Sequence, residues 1–228
     1  MVDILFLFEK TGLAAQPFEQ LGFKTCCIDK AKPLEAPNRV TLAWDILEKE
    51  SEIIQRFKGV RLIIGFPPCT DLAVSGATHF AAKRAKDADF QIKALHLFKS
   101  VERIATAIGA PWCAENPRSV VSTMWRKPNF SFEPYHYGGY LPEDDIHPYW
   151  PAYIAPRDAY PKTTYLWAGN GFKLPPIKKV QPELGYSRQH KYLGGKSEFT
   201  KTVRSASPRG FFTALALLTK EEIDGHDH

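Results

Sequence analysis

The feature that most constrains the fold is the alternation of apolar, strand-like segments with helix-like segments through the first half of the chain. Short apolar runs at 3–8, 24–28 and 60–64 are separated by segments with helical periodicity at 13–21 and 47–57. Strands that alternate with helices of this length are typical of βαβ units, in which consecutive strands run parallel. The sequence therefore predicts an α/β fold with a Rossmann-like, doubly wound, mostly parallel sheet.

The second half of the chain continues this pattern with one interruption. Apolar residues at helical spacing predict one long helix over 81–108, which ends at Gly109. Further along, the predicted elements are strands at 112–114 and 164–168 and a last helix at 208–219. A Pro- and aromatic-rich segment at about 125–161 is predicted to be an ordered insertion, because disordered segments contain few aromatic residues. A chain of 228 residues supports one substantial core, so we predict a single domain over 1–228.

Composition narrows the class of protein. The four cysteines, Cys26, Cys27, Cys69 and Cys113, have no paired metal-ligand spacing. The sequence has neither the pattern of a signal peptide nor a run of about 18 apolar residues. We therefore expect a monomeric cytoplasmic protein in a reducing compartment, without a metal site and without a membrane partner.

The net charge of +5 is unevenly distributed and favours an anionic partner. Basic residues are frequent over 173–209, and aromatic residues are interleaved with them. Such a segment suits a nucleic-acid strand, because cations neutralise phosphates while aromatic rings stack on bases. A solvated loop has the same composition. The candidate nucleic-acid contacts in this segment are Lys178, Lys179, Arg188 and Lys191.

The stretch Gly-Phe-Pro-Pro-Cys-Thr at 65–70 directly follows the apolar run at 60–64. Two successive prolines fix φ twice and remove two backbone donors, so the strand ends there and the next side chain is held in place. Ligands and catalytic groups gather at the carboxyl ends of strands in open α/β sheets. Cys69 is therefore a candidate nucleophile, and a buried packing cysteine is the alternative.

A second polar cluster, Glu115-Asn116-Pro117-Arg118-Ser119, follows the predicted strand at 112–114. If the two strands are parallel in one sheet, Glu115 and Cys69 project from the same edge. A thiolate and a carboxyl group together suit the addition of a nucleophile to an electron-poor ring. A Glu before Asn-Pro also caps turns, and Arg118 is either a phosphate contact or a solvated surface residue.

The start of the chain predicts a nucleoside-binding unit. Phe8-Glu9-Lys10-Thr11-Gly12 follows the first strand, and Asp29 ends the second strand about 20 residues later, where an acid accepts hydrogen bonds from ribose hydroxyls. Asp45 ends another short apolar stretch. It either contacts an adenine amino group or caps the helix that follows.

Taken in order, these segments resemble the DNA cytosine-5 methyltransferases across most of the chain. The matching segments are 7–12 with 18–23 and Asp29, Trp44-Asp45-Ile46, 62–69 with Ser75-Gly76, Glu115-Asn116-Pro117, and Arg204-Ser205-Ala206-Ser207-Pro208. The resemblance implies a methyltransferase-type sheet with S-adenosylmethionine as the cofactor. By the same resemblance, the cofactor-binding residues are Phe8, Gly12, Asp29, Asp45, Pro68 and Ser205.

The resemblance also implies a mechanism on DNA. Cys69 adds to C6 of cytosine while Glu115 holds N3 and the exocyclic amine, and C5 then accepts the methyl group. The loop after Cys69 closes over the base, which must leave the duplex stack to be reached. By this resemblance and by position, the residues that contact the base or the strand are Thr70, Ser75, Asn116 and Arg118.

Several positions depart from the family pattern. Lys10 stands where a glycine is expected, Thr70 replaces a glutamine, and Lys162 takes the place of an arginine with a catalytic role. The short basic segment at about 170–203 occupies the position of a target-recognition domain. This length resembles compact bacteriophage versions of the enzyme, which implies little sequence specificity and a bacterial or phage-infected host cell.

Three functions remain open at the level of the sequence. The first is methylation of cytosine in DNA, which the resemblance favours. The second is C5 modification of a free cytosine nucleotide, because the chain has no large segment for reading DNA. The third is a catalytically silent module that binds nucleic acid or a protein on the same fold.

Overall fold

The structure is a computed structural model that describes residues 1–195 and 197–225. The chain packs as two compact units, each of which contains a cluster of buried apolar side chains. The sheet unit consists of Met1–Gly12, Gly22–Ser131 and Thr164–Lys173. The helical unit consists of Leu13–Leu21, Phe132–Thr163 and the described residues from Leu174 onward.

A seven-stranded mixed sheet, mostly parallel, defines an α/β fold consistent with the Rossmann-like type. The strands are β1 (Ile4–Leu7), β2 (Thr25–Asp29), β3 (Arg39–Ala43), β4 (Leu62–Gly65), β5 (Trp112–Pro117), β6 (Phe130–Phe132) and β7 (Thr164–Gly169). Their order is β3-β2-β1-β4-β5-β7-β6, and β7 is antiparallel to β5. The predicted fold class is confirmed at this level.

The register of the central strands brings their carboxyl ends level with one another. Leu7 of β1 pairs with Ile28 of β2 on one side and with Gly65 of β4 on the other. Along the chain, β2 and β3 are added on one side of β1, and β4 and β5 are then added on its other side. The order of strand addition therefore reverses between β1 and β4. In open α/β sheets the crevice outside such a reversal point is the usual ligand site.

The helices of the sheet unit differ from the prediction in one respect. They are α2 (Glu50–Arg56), α3 (Phe80–Lys86), α4 (Phe90–Phe98), α5 (Ser100–Ile108) and α6 (Val121–Met124). The prediction of one helix over 81–108 is wrong, because Asp87 has an extended backbone and its carboxylate accepts the Asp89 amide, which ends α3. A second break follows where the Ser100 hydroxyl donates to the Leu97 carbonyl.

Close packing of α5 on β4 fixes the strand that leads to Cys69. A Cβ atom at Gly65 would lie 2.4 Å from Cγ2 of Val101, so only glycine lets the helix approach this closely. Beneath the helix, Phe98 packs edge-on against Trp167 with ring centroids 5.1 Å apart. The end of β4 is thus held by a buried, tightly packed core.

The helical unit contains α1 (Gln16–Gln20), α7 (Arg188–Tyr192), α8 (Glu198–Arg204) and α9 (Arg209–Asp224). Helix α9 begins as predicted after Pro208 but extends five residues beyond Thr219, to Asp224. Phe132 stacks on Phe211 of α9 at 4.3 Å, and Tyr137 is fully buried. These contacts order the aromatic segment, as its composition predicts.

Two strands were not predicted from the sequence. Strand β3 is only half-buried and reads Arg-Val-Thr-Leu-Ala, and β6 has three residues, so neither produces a strong apolar signal. The strand predicted to lead to Cys69 ends at Gly65, four residues before the cysteine. No helix in the described residues is long and apolar enough to cross a membrane.

Candidate active site

Cys69 lies in a tight turn four residues beyond the end of β4. Its carbonyl oxygen accepts hydrogen bonds from the amides of Leu72 (3.0 Å) and Ala73 (2.8 Å). The side chain of Cys69 is partly exposed, whereas the other three cysteines are buried. The turn therefore presents one thiol to solvent.

Burial keeps two of the other cysteines protonated. It raises the pKa of Cys26 to about 12. Burial, followed by the negative charge of Glu115, also raises the pKa of Cys113. A nucleophile must react as the thiolate, so these two cysteines are unsuited to that role.

One side chain joins the polar cluster that follows β4 to the polar residues that end β5. Asn116 is 1% exposed, and its Nδ2 donates to the carbonyl oxygen of Pro67 at 3.0 Å. Pro67 precedes Cys69 by two residues, and Glu115, which is partly exposed, precedes Asn116. The bond thus couples the turn that carries the thiol to the strand that carries the carboxyl group.

Backbone contacts continue this coupling beyond the strands. The Val74 amide donates to the Arg118 carbonyl at 2.9 Å, and the Val120 amide donates to the Leu72 carbonyl at 2.9 Å. Thr70, Ser75 and Arg118 all have exposed side chains at this edge. The structure therefore brings these predicted substrate contacts together with Cys69, Glu115 and Asn116.

Helix α3 holds the residue that follows Cys69. Lys83 donates from Nζ to the carbonyl oxygen of Thr70 (3.1 Å) and to Oδ1 of Asp71 (2.5 Å). Arg84 donates to Oε1 of Gln91 on α4, and the Gln91 amide lies 3.5 Å from the Asp71 carbonyl. Two helices thus anchor the start of the loop that the resemblance places over the base.

The loop after β1 is organised by a residue that sequence reasoning did not select. Glu9 is buried, and its Oε1 accepts the amides of Thr11 (2.7 Å) and Gly12 (2.8 Å) and the Thr11 hydroxyl (2.7 Å). Burial raises the pKa of Glu9, and these hydrogen bonds oppose that rise. The sequence signal was an acid two residues before Thr-Gly, which is a turn-capping pattern.

Two predicted cofactor residues in this loop have left-handed backbones. Phe8 has φ 61°, and Gly12 has φ 72°. The guanidinium group of Arg39 covers Gly12: Nη2 donates to the Gly12 carbonyl at 3.0 Å, and a Cβ at Gly12 would lie 1.8 Å from Nη1. The group packed closely against the Gly12 backbone is therefore the side chain of Arg39 on β3.

Acids follow β2 and β3 at the same edge. Asp29 accepts the Ala31 amide through Oδ1 at 2.8 Å, and burial raises its pKa. Asp45 accepts the Leu47 amide at 3.0 Å through Oδ1 and pairs with Lys30 through Oδ2 at 3.2 Å. Asp45 thus caps the turn that precedes α2, whereas the N-cap of α2 is Lys49 and receives no side-chain hydrogen bond, so the predicted capping of the helix is wrong.

Trp44 lies between these acids and is partly buried. Its amide donates to the Asp29 carbonyl at 3.0 Å. The cationic groups of Arg56 and Lys49 lie 5.5 and 5.6 Å from the ring centroid. The backbone of Trp44 is therefore held beside Asp29 at the end of β2, while Pro68 is exposed after β4, two strands further along the sheet.

The remaining predicted residues belong to the helical unit. The Lys162 amide donates to Oε2 of Glu133 at 2.6 Å, and its Nζ donates to the Ala206 carbonyl at 3.3 Å. The Ser205 hydroxyl donates to the Thr202 carbonyl at 3.2 Å. Lys162 and Ser205 are thus held by local contacts within this unit.

Three of the predicted basic residues form the same kind of contact. The ammonium groups lie over tyrosine rings at 5.3 to 5.7 Å in the pairs Lys178–Tyr140, Lys179–Tyr135 and Lys191–Tyr186. Arg188 differs, since it forms an ion pair with Glu183. The segment therefore combines exposed cations with aromatic rings, and α7 and α8 give it structure that its composition did not predict.

No protein-family model matches this chain, and no curated protein is significantly similar to it. Two cavities of about 140 and 280 Å³ lie at the amino ends of the strands; residues such as Met1, Val2 and Val40 line them, and none of the predicted site residues does. The geometry at the carboxyl ends is accordingly the basis for assigning a function.

Proposed function

We propose that this chain transfers a methyl group from S-adenosylmethionine to C5 of cytosine in DNA, through a covalent bond to Cys69 and on a methyltransferase-type sheet. The observation that carries the proposal is the 3.0 Å hydrogen bond from Asn116 to Pro67. It couples the turn that presents Cys69 to the strand end that presents Glu115. Adding a nucleophile to an electron-poor ring requires a thiolate and a proton-bearing carboxyl group at one place.

The acids beside the reversal point fit the adenosine part of the cofactor. Among the described residues, Asp29 accepts the Ala31 amide through Oδ1 only, which leaves Oδ2 to accept from a ribose hydroxyl. Trp44 offers an aromatic surface, and Asp45 can turn from Lys30 to an adenine amino group, because that ion pair is partly exposed. The loop at Gly12 fits less well, since Arg39 must move for a ligand to approach its backbone.

In the proposed reaction, Cys69 supplies the electrons. Its thiolate forms a C–S bond to C6 of cytosine, and the electron pair of the 5,6 double bond moves to C5. Glu115 donates a hydrogen bond to N3 and accepts one from the exocyclic amine, which stabilises the charge that develops in the ring. When bound, S-adenosylmethionine supplies the electrophilic methyl group that C5 accepts.

The same residues then release the product. Water takes the C5 proton, the electron pair of that C–H bond re-forms the 5,6 double bond, and the C–S bond breaks as Cys69 leaves as a thiolate. A base inside a duplex is inaccessible to this thiol, so it must be extruded at a cost of a few kcal/mol. Thr70 directly follows Cys69 and Ser75 lies further along the same loop; both are exposed and would cover the extruded base.

A polymeric substrate is supported by the charge of the helical unit. Lysines paired with tyrosines suit a strand, because they combine phosphate neutralisation with surfaces for stacking. Such contacts carry little sequence information. The proposal therefore includes low sequence specificity.

The test is nucleoside mass spectrometry after incubation with S-adenosylmethionine and, in parallel, duplex DNA, single-stranded DNA, RNA or deoxycytidine monophosphate. The wild type and the Cys26→Ala control should produce 5-methyldeoxycytidine in DNA, because Cys26 is buried in β2 away from the strand end. The Cys69→Ala variant should bind the cofactor and yield no product.

Three outcomes would contradict the proposal. Product formed by Cys69→Ala would remove the covalent mechanism. Product formed only from the monophosphate would identify an enzyme of free nucleotides. Absence of product in every arm, from a protein that binds DNA, would identify a binding module.

A further inference from the structure

A cluster of basic groups in the helical unit is formed by three separate segments. Lys162 precedes β7, His190 lies on α7, and Arg204 ends α8. Nη2 of Arg204 donates to the His190 carbonyl at 3.3 Å, and Nζ of Lys162 donates to the Ala206 carbonyl at 3.3 Å. The segments are thereby held so that the three side chains share one region.

The electrostatic environment of this region is positive. The pKa of His190 is lowered by burial first and then by the positive charges of Lys162 and Arg204. Nδ1 of His190 lies 3.0 Å from the Ser187 hydroxyl, which fixes the ring. The imidazole of His190 is therefore uncharged at neutral pH, and an anion bound beside it would favour its protonation.

Unpaired buried groups occur at the same place. Both polar atoms of the Gln189 side chain are buried without a hydrogen-bond partner in the described part of the chain, and so is Nε of Arg204. Leaving such a group unpaired costs about 1–3 kcal/mol, so folded proteins rarely retain it without a reason. The unpaired Nε belongs to Arg204 of the cluster itself, and Gln189 precedes His190 on α7.

Aromatic surface lies at both ends of α7, with Tyr192 as its last residue and Tyr186 two residues before its first. Tyr192 is 55% exposed and Tyr186 is 40% exposed, and their hydroxyl groups are 3.0 Å apart. Exposed tyrosines next to an anion site suit a ligand that has both a phosphate and a flat base. A simple inorganic or carboxylate anion would make no use of the rings.

We propose that Lys162, His190 and Arg204 form a phosphate-binding site for a nucleotide unit whose base packs against Tyr186 or Tyr192. The phosphate is either the terminal group of a mononucleotide or a diester of a nucleic-acid strand. The site goes beyond the proposed methyl transfer, because phosphate binding requires neither Cys69 nor S-adenosylmethionine.

The test follows the imidazole NMR resonances of His190 in the full chain, without cofactor. The probes are inorganic phosphate, deoxycytidine monophosphate, and a dinucleotide that has one internal diester and no terminal phosphate. We expect saturable shifts of the His190 resonances, with a nucleotide probe binding at least about tenfold tighter than inorganic phosphate because of its base. Shifts with the monophosphate assign the terminal group, and shifts with the dinucleotide assign the diester.

Two variants distinguish a specific phosphate-binding site from a general attraction by positive charge. Arg204→Met should weaken binding of the tighter probe by about 10-fold or more, as loss of a charged hydrogen bond predicts. Lys201→Met is the matched control, because Lys201 lies on α8, is exposed and pairs with Glu198, and its substitution removes the same charge. It should weaken binding less than about twofold.

Two results would overturn the inference. One is the absence of a saturable His190 shift with all three probes in the wild type, a measurement that does not depend on whether a variant folds. The other is equal weakening by Arg204→Met and Lys201→Met, which would mean that net charge alone attracts the phosphate. Either result would leave the methyl-transfer proposal intact, since that reaction is measured separately.

Discussion

The side-chain amide of Asn116 donates a 3.0 Å hydrogen bond to the carbonyl oxygen of Pro67, and both residues are buried. Pro67 begins the Pro-Pro pair before Cys69, and a proline has no amide with which to anchor itself. Asn116 therefore acts as a positioning residue for the thiol. The bond links strand ends that are 49 residues apart in the chain.

Replacing Asn116 with alanine should loosen this turn. We expect kcat to fall by about 10- to 100-fold, because small misplacements of a reacting group have effects of this size. Cofactor affinity should change little. The free energy of unfolding should fall by about 1–3 kcal/mol, since the Pro67 carbonyl loses its partner. Steady-state kinetics and urea denaturation measure the two effects.

Asn170→Ala is the matched control. Nδ2 of Asn170 donates to the carbonyls of Ala105 and Ala110 at 3.2 and 2.9 Å, at the amino end of β5. This variant should lose stability and keep its kcat once folded. Equal losses of kcat in both variants would show that Asn116 acts through stability alone.

The Lys83 contact should matter more for turnover than for stability. Lys83 and Asp71 are about one-third exposed, so Lys83→Met should change the free energy of unfolding by less than about 1 kcal/mol. Because Lys83 also holds the Thr70 carbonyl, we expect kcat/KM to fall severalfold. Lys93→Met, which breaks the exposed pair with Asp87, should leave kcat/KM unchanged. Equal kinetic effects would remove the special role of Lys83.

Gly12 and Arg39 should show strong coupling. Gly12→Ala places a Cβ against the guanidinium of Arg39 at a φ of 72°, and we expect a loss of about 2 kcal/mol or more. In the double variant Gly12→Ala, Arg39→Met, the steric part should be relieved, so the two effects should not add. Additive losses in a double-mutant cycle would mean that backbone strain alone sets the cost.

Two buried groups of the helical unit, Asp158 and His147, should make the free energy of unfolding depend on pH in opposite directions. Burial raises the pKa of Asp158 from 3.8 to about 6, while burial and the charge of Arg209 lower the pKa of His147 from 6.5 to about 4. The folded state thus binds a proton at Asp158 more tightly than the unfolded state does, and stability from this group is lost as pH rises from about 4 to 6. For His147 the sign is reversed, and stability is lost as pH falls from about 6.5 to 4.

Single variants should show how much each group contributes to the change of unfolding free energy with pH. Relative to the wild type, Asp158→Asn should gain about 2 kcal/mol of unfolding free energy as pH rises from 4 to 6, because the destabilising titration is removed. Relative to the wild type, His147→Gln should lose a similar amount between pH 4 and 6.5. Urea denaturation at several pH values measures both differences. Parallel curves for all three proteins would contradict the assignment.

Sequence patterns predicted the elements whose apolar residues are continuous. Strands β1, β2 and β7 and the end of α5 at Gly109 lie within a residue or two of their predicted positions, whereas β5 extends three residues beyond its predicted end. The sequence-based prediction was wrong where a single contact determines whether a helix or strand forms. The carboxylate of Asp87 interrupts a helical apolar pattern, and β3 is held by pairing with β2 rather than by its own residues.

The candidate site was predictable only in part, for the same reason. A cysteine after Pro-Pro and an acid after a strand are visible in the sequence. The bond from Asn116 to Pro67, the capping by Glu9 and the cover of Arg39 over Gly12 depend on long-range register, which no local pattern encodes. The unpaired side chain of Gln189 is likewise a property of the folded unit alone.

The most direct test of the central claim is covalent trapping at Cys69. DNA that contains 5-fluorocytosine in place of cytosine should stop the reaction after methyl transfer, since fluorine at C5 cannot leave as the proton does. Intact-mass and peptide mass spectrometry with S-adenosylmethionine should then show one DNA adduct on the peptide that contains Cys69, and none with Cys69→Ala. An adduct on another residue, or no adduct from a protein that binds both DNA and cofactor, would contradict the mechanism.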